Sequence, residues 1–507
     1  MHSILWFSFV SLVGVYLMGP LIDPDLWWHL VVGKWIVANQ SIPTVDYWNM
    51  FGISKPWRAY SWSNEIVLAL TELGFGLKGL SYLKLLLGFG VAFSFCYYLS
   101  KIAKDWAFGA LFGAVVVGSC VYHYTLRPQS FIWILFIALF YFLDKIRTQG
   151  SSISSLVSIF TIMALWANTH ITTVIALAAI FAWLFPSSLC SKNVNRKTLM
   201  SVLIVGVLGL LCTPYFGGEL VTFANKISHP LSHDTIAEFQ PANIMQFPTG
   251  FLLILVTLLL LLVRSNPKVL SPLQLLFALG LALGSLAVIK FVPIATISLS
   301  ACIAYQWKHR SQKDKKQQDG GGIQEGIERL IGGIYGLPVQ GLTFVVLSML
   351  AVTAFDRSLA FGIKRDTPSQ AIDFMQKHAL PEPILNIFGD GGYLMYRYAN
   401  EKGEPSILVP IDGRTNVGSP EVSKAHDEAI SGSIRWKSYL DQVEPNTILW
   451  RTEAPLTSIL LEREEWCRVF SQGNGERAYS VFVKKEIIGE DCRLDGDKEL
   501  SLLEPAR

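Results

Sequence analysis

The chain has 507 residues, of which 51% are hydrophobic and 16% charged, against roughly 25% charged in an ordinary soluble domain. Lys and Arg number 42 and Asp and Glu 39, leaving +3 at pH 7. This excludes a disordered chain, a coiled coil and an ordinary cytosolic enzyme, and offers no basic excess for nucleic acid. A spanning helix needs about 20 mainly apolar residues. Such runs fall, in chain order, at 3–22, 78–100, 107–125, 130–144, 153–168, 170–186, 198–213, 249–263, 270–288, 291–306 and 334–355. An α-helical polytopic membrane protein of about eleven spans is predicted. The first run has no Lys or Arg before it and no small-residue cleavage site, so it reads as the first helix rather than a signal peptide. Glu65–Leu73 is apolar enough for a further membrane-embedded or interfacial helix.

Lys and Arg in short loops set the orientation. Lys101 and Lys104, then Lys145 and Arg147, then Lys192, Arg196 and Lys197, then Arg264 and Lys268, and finally Lys308, Arg310, Lys313, Lys315 and Lys316 occupy alternate loops. These loops are predicted cytoplasmic, with the N-terminus inside. The first loop, 23–64, the loop 214–248 and everything beyond about 356 then lie outside. The predicted domains are a transmembrane part, 1–357, with a flexible cytoplasmic linker at 308–329 around Gly320–Gly322, and an extracytoplasmic α/β part, 358–507, ending in a polar tail with Asp491, Asp495, Asp497 and Glu499. In the latter, Ala371–His378 predicts a helix, and Ile384–Ile387, Ser406–Ile411, Thr447–Trp450 and Tyr479–Val483 predict short strands. Cys96, Cys120, Cys190, Cys212 and Cys302 read as small apolar side chains. Cys467 and Cys492 can pair if their compartment is oxidising, and spacing alone leaves both outcomes open.

The richest polar stretch is Asp23-Pro24-Asp25-Leu26-Trp27-Trp28-His29-Leu30, where the first span ends. Asp23 followed by Pro24 signals a helix start, with Asp as cap and Pro at the first position. A helix over Pro24–Ala38 places Asp25, His29 and Gly33 on one face. Leu26, Trp27, Leu30, Val31, Trp35 and Ile36 then predict an interfacial helix with its Trp side chains at headgroup depth. Asp25 is the candidate for chemistry, Asp23 a cap or a second candidate acid. His29 is a catalytic partner or a simple polar contact of Asp25. Asp46, Arg58 and Glu65 follow in the same loop as substrate-binding candidates. Arg127 and His170 sit at outer span ends, where a snorkelling Arg and a hydrogen-bonded turn are the plain alternatives. Lys290 lies between two apolar spans, either neutralising a phosphate or pairing with an acid. His229, His233, Asp234 and Glu238 match no strong metal-binding spacing.

Asp25-Leu26-Trp27-Trp28-His29-Leu30, Gly33, Ile42-Pro43 with Asp46, and Trp57 with Trp62 and Glu65 resemble a group of bacterial polytopic membrane proteins related to the GT-C glycosyltransferases. That superfamily contains protein O-mannosyltransferases and oligosaccharyltransferases. Leu126-Arg127-Pro128-Gln129, Trp166-Ala167-Asn168-Thr169-His170, Gly391-Gly392-Tyr393-Leu394 and Asp412-Gly413-Arg414 fit the same group, and the likeness covers most of the chain. The resemblance implies a multi-span core whose first outer loop carries the essential carboxylate. It also implies a sugar donor on a polyprenyl-phosphate carrier, at a bacterial inner membrane. The acceptor is a glycan, lipid or protein. Some relatives use a divalent cation and others none, so the cofactor stays open. The motif here is Asp-Pro-Asp, not the Asp-Glu pair of the mannosyltransferases, which leaves Asp23 and Asp25 to be separated.

The chemistry follows from the groups. A sugar hydroxyl is a poor nucleophile, and a placed carboxylate can accept its proton during attack. The leaving polyprenyl phosphate needs a cation rather than a proton, for which Arg58, Arg127 and Lys290 are candidates. Asp412-Gly413-Arg414 reads as a tight turn with an internal ion pair, and Gly391-Gly392 as a turn or a close backbone approach. The competing reading is a non-enzymatic scaffold, flippase or export component. A transporter is expected to carry polar residues mid-span or paired broken helices, whereas the charges here gather at outer ends. Neither a GxSxG elbow, nor HExxH, nor a Walker loop is present.

Overall fold

The computed structural model describes residues 2–21, 23–190, 193–228, 240–243, 249–317, 367–414, 417–472, 478–489 and 491–492. The predicted span 334–355, the glycines 320–322, the acidic tail beyond 492 and His229, His233, Asp234 and Glu238 lie outside these residues. The described residues divide into a helical unit, 2–21, 74–228 and 240–317, and a mixed unit, 23–73 and 367–492.

In the helical unit the apolar runs become the helices His2–Tyr16, Trp106–Ser119, Pro128–Gln149, Ile153–Thr169, Thr173–Cys190, Arg196–Leu211, Thr249–Ser265, Pro272–Ala287 and Val292–Gln317. Local chemistry sets their starts. Asp105 accepts the Phe108 N–H at 2.9 Å and Asn195 that of Thr198 at 2.9 Å. Ser152 with Ser155, and Ser271 with Gln274, form reciprocal capping boxes. Pro128 and Pro272 occupy first turns, where a missing N–H costs nothing. The predicted span 78–100 is the far part of a longer helix, Trp62–Ala103, which also contains Glu65–Leu73 and is broken at Gly76 with φ 65°. Residues 308–317 of the expected linker 308–329 instead belong to the helix Val292–Gln317, and the rest of it lies outside the described residues. Among the described residues, three helices are long and apolar enough to cross a membrane, and six more are shorter but apolar. Leu86, Leu276 and Leu283 are exposed along them, as expected where the solvent is hydrocarbon. Tyr98 and Tyr305 donate to the buried Asp144 at 2.9 and 2.7 Å, tying three helices together.

The mixed unit carries a four-stranded sheet of order β1-β2-β4-β3, with β1 Ile384–Leu385, β2 Thr447–Arg451, β3 Trp466–Ser471 and β4 Tyr479–Lys484. β1 and β2 are parallel, with Ile384 opposite Thr447; β2 and β4 are antiparallel, with Leu449 opposite Val481. β3 pairs antiparallel with β4 across an irregularity between Arg468 and Phe470. Leu385, Val422, Tyr439, Ile448, Trp450 and Phe482 form its core, against which Met50 and Phe51 of the first loop pack. The expected helix near Ala371–His378 is Ser369–Lys377. Ser406–Ile411, expected as a strand, stays outside the sheet. Val409 instead exchanges backbone hydrogen bonds with Trp48 and Met50, at 3.0 and 2.9 Å, and Pro410 has no N–H to offer. β3 was not expected, because its exposed Arg468 breaks the apolar run. Cys467 of β3 is joined to Cys492 by a disulfide.

Candidate functional site

The helix predicted after Asp23-Pro24 runs Asp25–Asn39. Asp23 lies just outside it, and its Oδ1 accepts the Asp25 N–H at 3.0 Å. That satisfies one of the donors every helix start leaves open. Leu26, Trp27, Trp28, Leu30, Val31 and Ile36 are all buried. The expected interfacial helix with Trp belt anchors is therefore corrected. Trp27 packs on Tyr393 and Tyr396 at centroid distances of 4.9 and 5.0 Å, so protein rather than headgroups covers it.

Glycines allow this close packing. A Cβ at Gly33 would stand 2.0 Å from the Glu65 carbonyl oxygen, which explains Gly33 on the His29 face. Gly391 and Gly392 lie inside the helix Phe388–Tyr398, not in a turn. Their close-approach alternative holds: a Cβ at Gly392 would lie 2.8 Å from the Pro24 carbonyl oxygen, and one at Gly391 2.0 Å from that of Ile411.

Two polar groups organise the unit. His29 Nδ1 meets Glu65 Oε1 at 3.1 Å, both side chains nearly inaccessible. Arg414 is the second. Its Nε and Nη2 reach the two oxygens of Asp412 at 2.9 Å each, and Nη1 donates to Asp46 Oδ1. Its guanidinium lies over Trp48 and Trp57, at 5.4 and 5.0 Å. Burial alone would lower the Arg414 pKa, but Asp412 and Asp46 outweigh it and raise it, so the guanidinium stays charged. Asn49 completes the cluster: its N–H donates to Asp46 Oδ2 at 2.8 Å and its amide to Asp412 Oδ2 at 3.2 Å. The expected Asp412–Arg414 pair is present, but Asp46 and Asn49 join it. An Arg three residues after the apolar stretch Ile407–Ile411 was the available signal, since a buried Arg needs carboxylate partners.

The site candidates of the first loop thus meet in one unit. Asp23, Asp46, Glu65 and Asp412 are at most 5% exposed, whereas Asp25 at the first turn is half-buried. Arg58 is exposed on the same unit. Arg127, His170 and Lys290 belong to the helical unit and are half-buried. Arg127 precedes the helix Pro128–Gln149, His170 ends the helix Ile153–Thr169 with Nδ1 2.8 Å from Thr172 Oγ1, and Lys290 lies in a short 3₁₀ turn.

Asp46 and Asp412 are engaged by Arg414, and among the described residues no group of three or more His, Cys, Asp or Glu is placed to hold a metal.

No protein-family model matches the sequence, and no curated protein matches it either. Solved structures do match in fold. The apo oligosaccharyltransferase of Archaeoglobus fulgidus gives a TM-score of 0.56 at 11% identity, covering 88% of this chain and 69% of that one. The same enzyme tethered to an acceptor peptide containing the NVT sequon gives 0.53 at 11% identity with the same coverage. The archaeal oligosaccharyltransferase AglB from Archaeoglobus fulgidus, in complex with an inhibitory peptide and a dolichol-phosphate, gives 0.55 at 9% identity, covering 94% of this chain and 73% of that one. At these identities the likeness is one of fold: the chain has an architecture similar to that of the archaeal oligosaccharyltransferase.

Proposed function

We propose that the protein is a GT-C-type membrane glycosyltransferase. It moves a sugar from a polyprenyl-phosphate carrier to an acceptor hydroxyl on the outer membrane face, with Asp25 as general base. The observation that carries this reading is the position of Asp25. It is half-buried at the start of the helix Asp25–Asn39, while Asp23 accepts the first N–H of that helix, Asp46 and Asp412 are buried in ion pairs with Arg414, and Glu65 is buried against His29. The fold likeness to enzymes crystallised with an acceptor peptide and with a dolichol-phosphate supports the class.

In the step, the acceptor oxygen bonds to the anomeric carbon as the bond from that carbon to the carrier phosphate oxygen breaks. The hydroxyl proton passes to Asp25, and the phosphate leaves with its negative charge. Arg58, exposed on the same unit as Asp25, is the cation we assign to that charge. His29 and Glu65 hold the Asp25 helix in place. We place the protein in a bacterial inner membrane, N-terminus inside and the segment 358–507 outside. The Cys467–Cys492 disulfide supports an oxidising compartment for that segment.

The test is a mass-spectrometric profile of envelope glycans and polyprenyl-phosphate sugars in the wild type, a deletion, and the deletion carrying Asp25→Asn at matched level. Loss of a glycan, build-up of its lipid-linked donor and failure of Asp25→Asn to restore it are expected. Full restoration by Asp25→Asn would remove Asp25 from the chemistry. A deletion with unchanged glycans and donors would favour the scaffold or export reading.

A further inference from the structure

The segment Asp412–Arg414 touches the candidate base at one point. A methyl group on residue 413 would stand 2.0 Å from Asp25 Oδ1, 3.1 Å from its Cγ and 3.0 Å from Trp28 Nε1. The Gly413 backbone therefore lies directly against the Asp25 carboxylate. Its flanking residues are fixed on both sides. Asp412 and Arg414 are buried and locked to each other, and Arg414 is locked to Asp46, 368 residues away in the chain. Asn49 holds Asp412 a second time and donates to the Pro410 carbonyl at 3.3 Å. This wall cannot give way without breaking a buried ion pair, which is costly. The end of the Asp25 side chain is the nearest group to that methyl, so it is the group displaced if the gap is filled.

We infer that Gly413 is a positioning residue: the clamped backbone at 412–414 sets where the Asp25 carboxylate points, and only a residue without a side chain leaves room for it. This rests on the reading of Asp25 as the base. A base contributes only within hydrogen-bond reach of the proton it takes. A misplacement of about 1 Å costs about 100-fold in rate.

The test uses membranes containing the full-length protein and, as donor, the total lipid extract of the deletion strain. Gly413→Ala is expected to lower the turnover rate about 100-fold with the apparent KM for the extract unchanged. The double variant Asp25→Asn/Gly413→Ala is expected to be no slower than Asp25→Asn alone, because both act on one carboxylate. A second reading needs no activity. Gly413→Ala should lower the unfolding temperature of the solubilised protein in the wild-type background but not beside Asp25→Gly, where the nearest clash is gone. Retention of the rate within a few-fold, multiplying effects in the double variant, or an equal thermal loss in both backgrounds would each overturn the inference. If the wild type transfers nothing from the extract, the glycosyltransfer reading fails, and the thermal cycle alone decides the Gly413–Asp25 contact.

Discussion

Arg414→Met gives the sharpest prediction. The substitution keeps much of the side-chain volume but removes a guanidinium that is 3% exposed and bonded to two carboxylates. Asp46 and Asp412, at 1% and 4% exposure, keep their bonds from Asn49 and lose their counter-charge. Breaking one partner out of a buried ion pair costs about 3–5 kcal/mol. The lost stacking over Trp48 and Trp57 adds about 1 kcal/mol or more. A loss of roughly 4–6 kcal/mol follows, large against the 5–15 kcal/mol by which folded domains are stable. The assay is denaturant unfolding of the solubilised protein, followed by fluorescence of Trp48 and Trp57 with the other Trp residues. The loss should be recovered in large part by the triple variant Arg414→Met/Asp412→Asn/Asp46→Asn, which removes the charges together. A loss below about 1 kcal/mol, or a triple variant no better than the single, would refute the reasoning that this cluster holds the two chain segments together.

Three further outcomes follow from the same geometry. Asp23→Ala should cost about 0.5–2 kcal/mol as a lost helix cap while leaving sugar transfer within a few-fold, in contrast to Asp25→Asn; equal losses of product from both would return Asp23 as a candidate base. Gly33→Ala should cost at least about 1–3 kcal/mol by overpacking, since its Cβ would stand 2.0 Å from the Glu65 carbonyl oxygen and 2.9 Å from Ala69 Cβ; an unchanged unfolding midpoint would contradict that contact. Burial pushes the Asp390 carboxyl up from 3.8 to about 6, against the pull of Arg451 and of the Tyr479 hydroxyl, which donates at 2.8 Å. The folded chain then holds a proton that the unfolded chain has released, so stability falls as pH rises from about 4 to 6. The fall is at most about 3 kcal/mol. Asp390→Asn should flatten that part of the stability profile, and an unaltered slope would show that other groups set it.

Much of the helical unit was legible because its signals are local. Capping boxes such as Ser152 with Ser155, first-turn prolines, and apolar runs each close within a few residues, so composition and spacing carry them. The Asp25 helix and the place of Asp23 at its start followed from the same rules, as did three of the four strands. β3 did not, because the exposed Arg468 interrupts the alternation, and the pairing of Cys467 with β4 residue Val483 is a non-local fact.

Partner choice was decided elsewhere. The sequence by itself determined which residues are ionisable, where helices begin, and that an acid stands at the start of the helix after the first apolar run. Only the tertiary structure decided that His29 meets Glu65, that Trp27 is covered by Tyr393 and Tyr396 rather than lipid, and that Arg414 joins Asp46 to Asp412. The physical reason is that a helix start is satisfied by neighbours three or four residues away. A buried charge is satisfied by whichever opposite charge the chain's topology delivers, here from 368 residues away, and no local pattern records that distance.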